Sequence, residues 1–242
     1  MSLGRKLPAL NALRPDVAVL QEVSAVDVGR FSQSCWAGNL PNKGLGTIAF
    51  GDFQIRRHPA WDPRIEFVVP TEISGPVNFL LIAVWAMHGR AVQRIQETPN
   101  RWQLLQGLEA YDSLIRSRPT VTAGDFNNAV QWDKMGKASN HAFAVDRLHS
   151  LGLVSAYHSH HRVEQGTELD PTLYWTWNQN KAYHIDYVWI PEKWLSAVQH
   201  VEVGDYEAWV GGHLSDHVPV SVELDQSRLV RQPEPGPEES TV

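Results

Sequence analysis

Short apolar runs separated by turn residues are the feature that most restricts the fold of this chain. Runs of this length and spacing predict strands. The predicted strands are Val17–Leu20, Gly46–Phe50, Ile65–Val69, Val77–Trp85, Thr120–Ala123, His184–Ile190 and Val218–Leu224. Many strands with a few helices between them predict an α/β sandwich, in which two mixed sheets pack face to face and helices cover the outside.

Three segments have a helical pattern instead. "KLPALNAL" spaces its leucines at i, i+3 and i+6, on one side of a helix. "NRWQLLQGLEAYDSLI" opens with Asn100, a residue type that caps helix N-termini, and "HAFAVDRLHSLG" ends at Gly152, a good C-cap residue. The tryptophan and leucines of the second segment also fall broadly on one side. We expect these helices to flank the strands.

Length and composition favour one domain. With 242 residues and 43% hydrophobic content, the chain can bury one substantial core, which we assign to residues 1–227. The closing stretch "RQPEPGPEESTV" is rich in Pro and Glu, so it predicts a disordered tail over residues 228–242. The net charge of −6 argues against a protein that coats nucleic acid, although an enzyme can meet a phosphate through a metal ion.

Two features bear on the compartment. The single cysteine, Cys35, excludes an intramolecular disulfide and fits a reducing environment. The longest apolar run, "FLLIAVWAM", is too short to span a bilayer, and the first residues have no apolar segment typical of a secretory signal. We therefore expect a cytoplasmic protein with no membrane span.

The segment "TVTAGDFNNAV" is the most informative about chemistry. Its apolar half predicts a strand, Gly124 permits a tight turn, and Asp125 and Asn127 follow with one residue between them. In extended backbone, residues two apart point the same way, so this carboxylate and amide are placed to face a common ligand. Asp125 can accept a proton from water while Asn127 donates to a phosphoryl oxygen. An Asx turn after a strand is the alternative interpretation.

Polar residues also stand at the ends of other predicted strands. Asp186 lies inside the apolar "HIDYVWI" and needs a fixed partner, because a lone buried carboxylate is costly. Asp216 and His217 precede the last strand, and an Asp that holds one ring nitrogen of a His fixes its tautomer. His88 ends "IAVWAMH", where a lone His is more often structural than catalytic.

A further carboxylate, Glu22, follows the apolar strand in "RPDVAVLQEV". Carboxylates and amides without cysteine suit Mg²⁺ or Mn²⁺ rather than structural zinc. Mg²⁺ typically binds one or two protein carboxylates, keeps some waters and bridges to a phosphate. We therefore interpret Glu22 as a ligand of a divalent cation.

Together these motifs resemble the endonuclease/exonuclease/phosphatase superfamily. Its members include pancreatic-type deoxyribonucleases, abasic-site endonucleases, inositol polyphosphate phosphatases and bacterial sphingomyelinases. "LQE", "GDFN", "HIDYVW" and "SDH" occur in the family's order, over a match from about Lys6 to Leu224. The resemblance implies a four-layer α/β sandwich that hydrolyses a phosphate ester by in-line attack of water.

The resemblance also implies roles for individual residues. The implied catalytic residues are His88, Asp125, Asn127, Asp186 and His217, and the implied metal ligands are Glu22 and Asp216. His217, oriented by Asp186, would contact the phosphate or transfer a proton. Asp125 would orient or deprotonate the attacking water, and His88 would stabilise the phosphate or leaving group. Mg²⁺, or alternatively Mn²⁺, would neutralise charge on the phosphate.

The resemblance is incomplete at the start of the chain. The family begins with a strand that ends in an Asn, well over twenty residues before the Gln-Glu element. Here only 21 residues precede Glu22, and they are mostly helical, so the role of that Asn is not assigned to Asn11. We expect that the chain begins after the first strand, at an artificial or misassigned start, and that an upstream extension would raise stability and activity.

Substrate choice is weakly encoded. Basic residues that could flank a nucleic-acid cleft are Lys43, Arg90, Arg94, Arg101 and Lys181. Trp175 and Trp177 alternate in "YWTWNQNKAY" and could stack on a base or a lipid, although packing in the core is the favoured expectation. For "HSHH", residues 158–161, a solvated loop is favoured over a metal site.

We predict a metal-dependent phosphoesterase, and a nuclease in particular, acting on nucleic acid or a small phosphoester. One alternative is a lipid or inositol phosphate hydrolase. The other is a phosphate-binding module that is inactive because the first strand is absent. The sequence leaves the natural substrate, the number of metal ions, the general base and the oligomeric state open.

Overall fold

The computed structural model describes residues 3–87, 102–137 and 139–229. The strands are β1 (Val17–Val23), β2 (Ser34–Leu40), β3 (Lys43–Ala49), β4 (Gln54–Arg57), β5 (Val68–Ser74), β6 (Phe79–Trp85), β7 (Thr120–Asp125), β8 (Leu153–Ser155), β9 (Leu173–Tyr174), β10 (Ala182–Tyr183), β11 (Asp186–Pro191), β12 (Val198–Val203) and β13 (Val220–Leu224). The α-helices are α1 (Leu3–Ala12), α2 (Ala25–Val28), α3 (Gln103–Ala110), α4 (Asp112–Arg116), α5 (His141–Ser150), α6 (Ala156–His161) and α7 (Gln226–Leu229).

The strands form sheets of unequal size. The large sheet has the order β4-β5-β6-β7-β11-β8, and its neighbours are antiparallel except for the parallel pair β6 and β7. A small sheet has the order β1-β3-β2, while β12 and β13 form a C-terminal hairpin. The two-stranded pair of β9 and β10 is a further hairpin, which we call the aromatic hairpin and define as Leu173–Tyr183.

The large sheet is buried on both faces, and β6 shows why. Successive side chains of a strand point to opposite faces. The even-numbered residues from Leu80 to Val84 pack beneath α3, α4 and α5, whereas the odd-numbered residues from Leu81 to Trp85 pack against the small sheet and C-terminal hairpin. Burying each large aliphatic side chain contributes roughly 1.5–3 kcal/mol, so both faces stabilise the sandwich.

The outer face of the small sheet is covered by α1 and α2. Ala18 and Ile48 of the sheet cluster with Leu3, Leu10 and Val28 of the two helices. The layers therefore run from α1 and α2, through the small sheet with the C-terminal hairpin, through the large sheet, to α3, α4 and α5. This arrangement confirms the predicted four-layer α/β sandwich.

Several predicted boundaries shift in the structure. The strand predicted at Ile65–Val69 begins only at Val68, and Ile65 is buried in the preceding turn. Leu13 lies past the end of α1 and is exposed, so it does not join the apolar side of that helix. The apolar runs located several strands but not their ends, because a turn that packs on the core is as apolar as a strand.

The predicted helices also differ in detail. The helix expected from Asn100 to Ile115 is two helices, α3 and α4, interrupted at Tyr111, and Asn100 itself lies outside the described residues. The C-cap prediction at Gly152 is confirmed. Its φ of 75° is left-handed, and its N–H donates to the carbonyl of His149 at 2.9 Å.

The prediction of a loop for "HSHH" is wrong, although Ser159, His160 and His161 are exposed to solvent as predicted. These residues lie in α6, where the Ser155 side chain caps the N-terminus by accepting from the His158 N–H. His158 is buried, and its Nε2 lies 2.9 Å from Oε1 of Glu168. The distant carboxylate explains the burial, and nothing in the local tract indicates it.

The C-terminal end of the described chain packs on the core. α7 ends at Leu229, which is buried against the inter-sheet cluster although it falls beyond the boundary at residue 227. Residues 230–242, which make up most of the predicted tail, lie outside the described residues. None of the helices in the described ranges combines the length and hydropathy needed to cross a bilayer.

Candidate functional site

Two carboxylates lie close together where three interior strands of the large sheet meet at one end of the sheet. Asp125 is the last residue of β7, and it stands opposite Asp186, the first residue of β11. On its other side it is level with Trp85, the last residue of β6. Directly opposed residues of antiparallel strands have Cβ atoms about 4.5–5.5 Å apart, so the two acidic groups are close neighbours. Asp125 is only 4% exposed.

Gly124 is needed for close packing rather than for the predicted turn. It lies within β7, with a φ of +134°. A Cβ at this position would lie 2.0 Å from the Val84 carbonyl oxygen and 2.9 Å from Nε2 of Gln21. Only glycine therefore allows β6, β7 and the small sheet to meet beside Asp125.

Asn127 does not point away from the strand in parallel with Asp125, as extended backbone would require. Its φ of +49° is left-handed, and its backbone N–H donates to Oδ1 of Asp125 at 2.7 Å. Its side-chain Nδ2 donates to Oδ2 at 2.7 Å. The alternative interpretation, an Asx turn, describes this geometry. Asn127 holds both oxygens of the carboxylate.

His217 completes the cluster. Its Nδ1 lies 2.8 Å from Oδ2 of Asp186, the contact that the sequence predicts for these residues. Burial alone lowers the pKa of His217, but the charge and hydrogen bond of Asp186, with the charges of Asp125 and Asp216, outweigh it and raise the pKa to about 10. The contact with Asp186 thus favours the protonated form of His217, in which both ring nitrogens donate.

Asp125, Asp186 and His217 offer ligand atoms that all lie within 4.8 Å of one another. Burial raises the pKa of Asp125, and the charges of Asp186 and Glu22 raise it further, although His217 and the Asn127 hydrogen bond oppose them. The cluster therefore concentrates negative charge that a cation or a proton would neutralise.

Glu22, the predicted metal ligand, lies at an irregular point of the small sheet. It lies at a register shift between β1 and β3, where its φ of +58° turns the side chain outward. The side chain is 55% exposed, and its Oε1 lies 2.9 Å from Nζ of Lys43. Glu22 is therefore not a buried carboxylate in an apolar strand, and it lies outside the three-residue group around Asp125.

Lys6 is a site residue that the sequence analysis missed. Its Nζ donates to Oγ of Ser215 at 3.4 Å, which brings α1 to the segment that carries Asp216. Burial lowers the pKa of Lys6, and the nearby carboxylates of Asp216 and Glu22 offset part of that effect. These two predicted metal ligands thus act on one ammonium group. No motif surrounds Lys6, so only the packing of α1 reveals it.

Other predicted residues fall outside the described ranges. His88 is one residue past the described end of the β6 segment, and Arg90, Arg94 and Arg101 also lie in the undescribed stretch 88–101. Lys43 and Lys181 are described.

The expectation that Trp175 and Trp177 pack in the core is wrong for Trp175, which is 58% exposed. The two residues do not alternate in a strand, because they lie in a 3-10 turn in which Thr176 and Trp177 have left-handed φ values of 57° and 61°. Trp177 is half-buried, and its ring centroid lies 5.5 Å from that of His213. The aromatic hairpin therefore presents one indole to solvent.

Comparison with known families settles the classification. The family model described as "Endonuclease/Exonuclease/phosphatase family" matches residues 7–217. The chain belongs to the endonuclease/exonuclease/phosphatase family. The match contains the strands that carry Asp125 and Asp186 and ends at His217, so it covers the whole cluster.

Solved structures share the fold of this family member. A 3′ phosphatase from Neisseria bound to product DNA hairpin and a 3′-5′ exonuclease from Neisseria meningitidis each have a TM-score of 0.65 and 20% identity, over 93% of this chain and 96% of theirs. An AP endonuclease from Archaeoglobus fulgidus has a TM-score of 0.62 and 17% identity, over 90% of this chain and 92% of its own. No curated protein sequence matches the chain significantly.

Proposed function

We propose that this protein is a divalent-metal-dependent phosphoesterase that hydrolyses a phosphodiester of nucleic acid by in-line attack of water. The observation that carries the proposal is the convergence of Asp125, Asp186 and His217 at one end of β7 and β11, with polar side-chain atoms within 4.8 Å of one another. Membership of the endonuclease/exonuclease/phosphatase family supports phosphate ester hydrolysis as the reaction.

Each residue of the site has a separate role in the proposed reaction. Asp186 keeps His217 protonated and oriented, so that its Nε2–H donates to a non-bridging phosphate oxygen. Asp125, whose pKa is raised by burial and by neighbouring carboxylates, accepts the proton of the attacking water. Asn127 fixes Asp125 through one amide hydrogen and has a second for a phosphoryl oxygen. His88 is assigned to stabilising the phosphate or leaving group on family resemblance.

The residues present fit a hard divalent cation. Glu22 and Asp216 both act electrostatically on the Lys6 ammonium, so both carboxylates stabilise a positive charge at that place. The protonated His217 donates rather than coordinates, which leaves Glu22 and Asp216 as the proposed ligands of Mg²⁺ or Mn²⁺. When bound, the cation supplies neutralisation of the phosphate charge.

Nucleic acid is the proposed substrate class for two reasons. The similar Neisseria structure is of a 3′ phosphatase with a DNA hairpin product, and another similar structure is of an AP endonuclease. In this chain, Lys43 lies beside Glu22, and Lys181 lies 5.6 Å from the ring centroid of Trp175. Lys43 is thus next to a proposed metal ligand, and Lys181 belongs to the hairpin whose Tyr174 N–H donates to the Asp216 carbonyl, so both basic groups can meet a polyanion.

The test is hydrolysis of bis(p-nitrophenyl) phosphate and of a labelled oligonucleotide with Mg²⁺, Mn²⁺ or a chelator. We expect metal-dependent activity that falls by roughly 10²–10⁴-fold in Asp125→Ala and in His217→Ala, since each removes a group that acts on the reacting atoms. Asp146→Ala, on the exposed side of α5, is the matched control and should retain full activity. Full activity with chelator, or activity surviving both substitutions, would refute the proposed mechanism.

A further inference from the structure

The aromatic hairpin is joined by backbone hydrogen bonds to the residues of the candidate site. The N–H of Tyr174 donates to the carbonyl of Asp216 at 2.8 Å, and Leu173 forms an isolated bridge with His217. The Val218 N–H donates to the Thr172 carbonyl at 2.8 Å. β9 therefore has β10 on one side and the 216–218 segment on the other, so the hairpin cannot move independently of His217.

Trp175 projects from this hairpin in a fixed position. Its N–H donates to the Lys181 carbonyl at 2.9 Å, which closes the loop between β9 and β10. The next two residues, Thr176 and Trp177, are left-handed, and such a conformation persists in non-glycine residues only where the surroundings determine it. The Trp177 ring packs on His213 and anchors the turn. The backbone that presents this indole, which is 58% exposed, is therefore ordered without a ligand and need not be ordered on binding.

A second exposed indole lies at the other end of the hairpin. Trp132 is 38% exposed, and its ring centroid lies 4.9 Å from that of Tyr183, at an interplanar angle of 60°. Near the tip, Nζ of Lys181 lies 5.6 Å from the Trp175 ring centroid. The hairpin and the adjacent Trp132 thus combine two accessible aromatic faces with one cation.

The spacing from the site suits a nucleic acid strand. Because Tyr174 bonds directly to Asp216 and consecutive Cα atoms are 3.8 Å apart, the Cα of Trp175 lies within about 10 Å of the Cα of Asp216. A distance of at most this size is no longer than about three nucleotides, even at the short 3.4 Å rise of a strand in duplex DNA. A membrane fits less well, because the loop between Trp177 and Ala182 is "NQNK", whose polar side chains resist entry into hydrocarbon.

We propose that the aromatic hairpin and the adjacent Trp132 form a stacking platform for unpaired bases, with Trp175 and Trp132 as its binding faces. Bases next to the scissile phosphate stack on these indoles, and Lys181 neutralises a neighbouring phosphate. The preferred substrate is accordingly a strand with unpaired nucleotides rather than a blunt, fully paired duplex. This assignment rests on the proposed function for its scissile phosphate, but its binding contacts can be measured without hydrolysis.

The test measures binding first. A fluorescein-labelled single-stranded oligonucleotide is titrated with the full chain in chelator, and anisotropy gives the Kd. Stacking on an aromatic ring contributes about 1–3 kcal/mol per base, so Trp175→Ala and Trp132→Ala should each raise the Kd by roughly 5- to 150-fold. Trp175→Phe should restore most of the affinity, because it keeps an aromatic face. Phe143→Ala, which removes an exposed aromatic residue of α5, is the matched control and should leave the Kd unchanged.

Hydrolysis of bis(p-nitrophenyl) phosphate separates this inference from the proposed function. In the tryptophan variants we expect the small ester to be cleaved as in the parent chain, while KM for the single-stranded oligonucleotide rises. Unchanged oligonucleotide binding in Trp175→Ala and Trp132→Ala, or equal affinity for a blunt duplex, overturns the platform. Tryptophan-dependent binding to anionic phosphatidylserine vesicles without oligonucleotide binding also overturns it. A chain that hydrolyses nothing but binds single strands through both tryptophans refutes the proposed function and supports the platform.

Discussion

Glu168 provides a sharp test of how the buried polar network stabilises the fold. Its side chain is 2% exposed, and its Oε1 lies 2.9 Å from Nε2 of His158. The same oxygen accepts from the Gly166 N–H at 2.9 Å. Burial alone raises the pKa of Glu168, but these hydrogen bonds outweigh it and lower the pKa to about 2. We predict that Glu168→Gln destabilises the protein in a pH-dependent manner.

The magnitude follows from proton linkage. The ordinary pKa of 4.5, taken for the unfolded chain, and the folded value of about 2 differ by an amount worth about 3 kcal/mol at 1.36 kcal/mol per pKa unit. Because the folded pKa is depressed, the ionised Glu168 contributes this stability in full above about pH 5 and loses it as the pH falls toward 2. At pH 3.5 about 2 kcal/mol should remain. A chain of this size loses about 2–4 °C in Tm per kcal/mol, so Glu168→Gln should lower the Tm at pH 7 by about 6–12 °C.

The assay is urea unfolding followed by tryptophan fluorescence, for the parent and Glu168→Gln proteins at pH 7 and pH 3.5. Glu164→Gln, an exposed carboxylate four residues earlier, is the matched control and should change stability by less than about 0.5 kcal/mol. The reasoning is refuted if Glu168→Gln costs no more than the control at pH 7, or if its cost is the same at both pH values.

Three further predictions concern the site. Gly124→Ala should lower the free energy of unfolding by at least about 2 kcal/mol more than Gly51→Ala, as measured by thermal unfolding. Both positions have a positive φ, but only Gly124 would place a Cβ against the Val84 carbonyl. Equal losses in the two variants would contradict this. Asp125→Asn should abolish hydrolysis but raise the Tm measured in chelator. The Tm should rise because a carboxyl whose pKa is raised in the folded state opposes folding at neutral pH. A lower Tm would contradict this. Lys6→Met should tighten Mn²⁺ binding about 5-fold, as measured by calorimetry. The variant removes a competing positive charge, and one unit charge at 4 Å is worth about 1 kcal/mol in water. An unchanged affinity would place Lys6 away from the metal.

The parts of the fold that the sequence predicts are those with a strong apolar signal. β6 and β7 are buried on both faces, so their continuous apolar runs identify them. β2 and β4, which lie at edges of the small and large sheets, were missed, because their sequences "SCWAGNL" and "QIRR" lack such a run. Their positions depend on pairing with neighbours, which a local pattern does not encode.

In the site, too, some features were predictable from the sequence and others were not. Asp125, Asp186 and His217 could be located because each stands at the end of an apolar strand. The directions of Glu22 and Asn127 could not, because the pattern assumed extended backbone and both residues have positive φ, which redirects the side chain. The contact between Asp186 and His217 was predictable because a carboxylate in an apolar strand demands a partner.

The position of the site between two sheets has a consequence for local unfolding. Glu22 belongs to the small sheet, formed by residues 17–49, whereas Asp125 belongs to the large sheet, formed by residues 54–191. Gln21 joins the sheets at the site by donating to the Val84 carbonyl at 3.3 Å. Compact units formed by consecutive residues can open separately in the native state. A sub-global opening that releases the small sheet would separate Glu22, a proposed cation ligand, from the carboxylate pair on the large sheet. States that keep most of their secondary structure would then lack part of the proposed site.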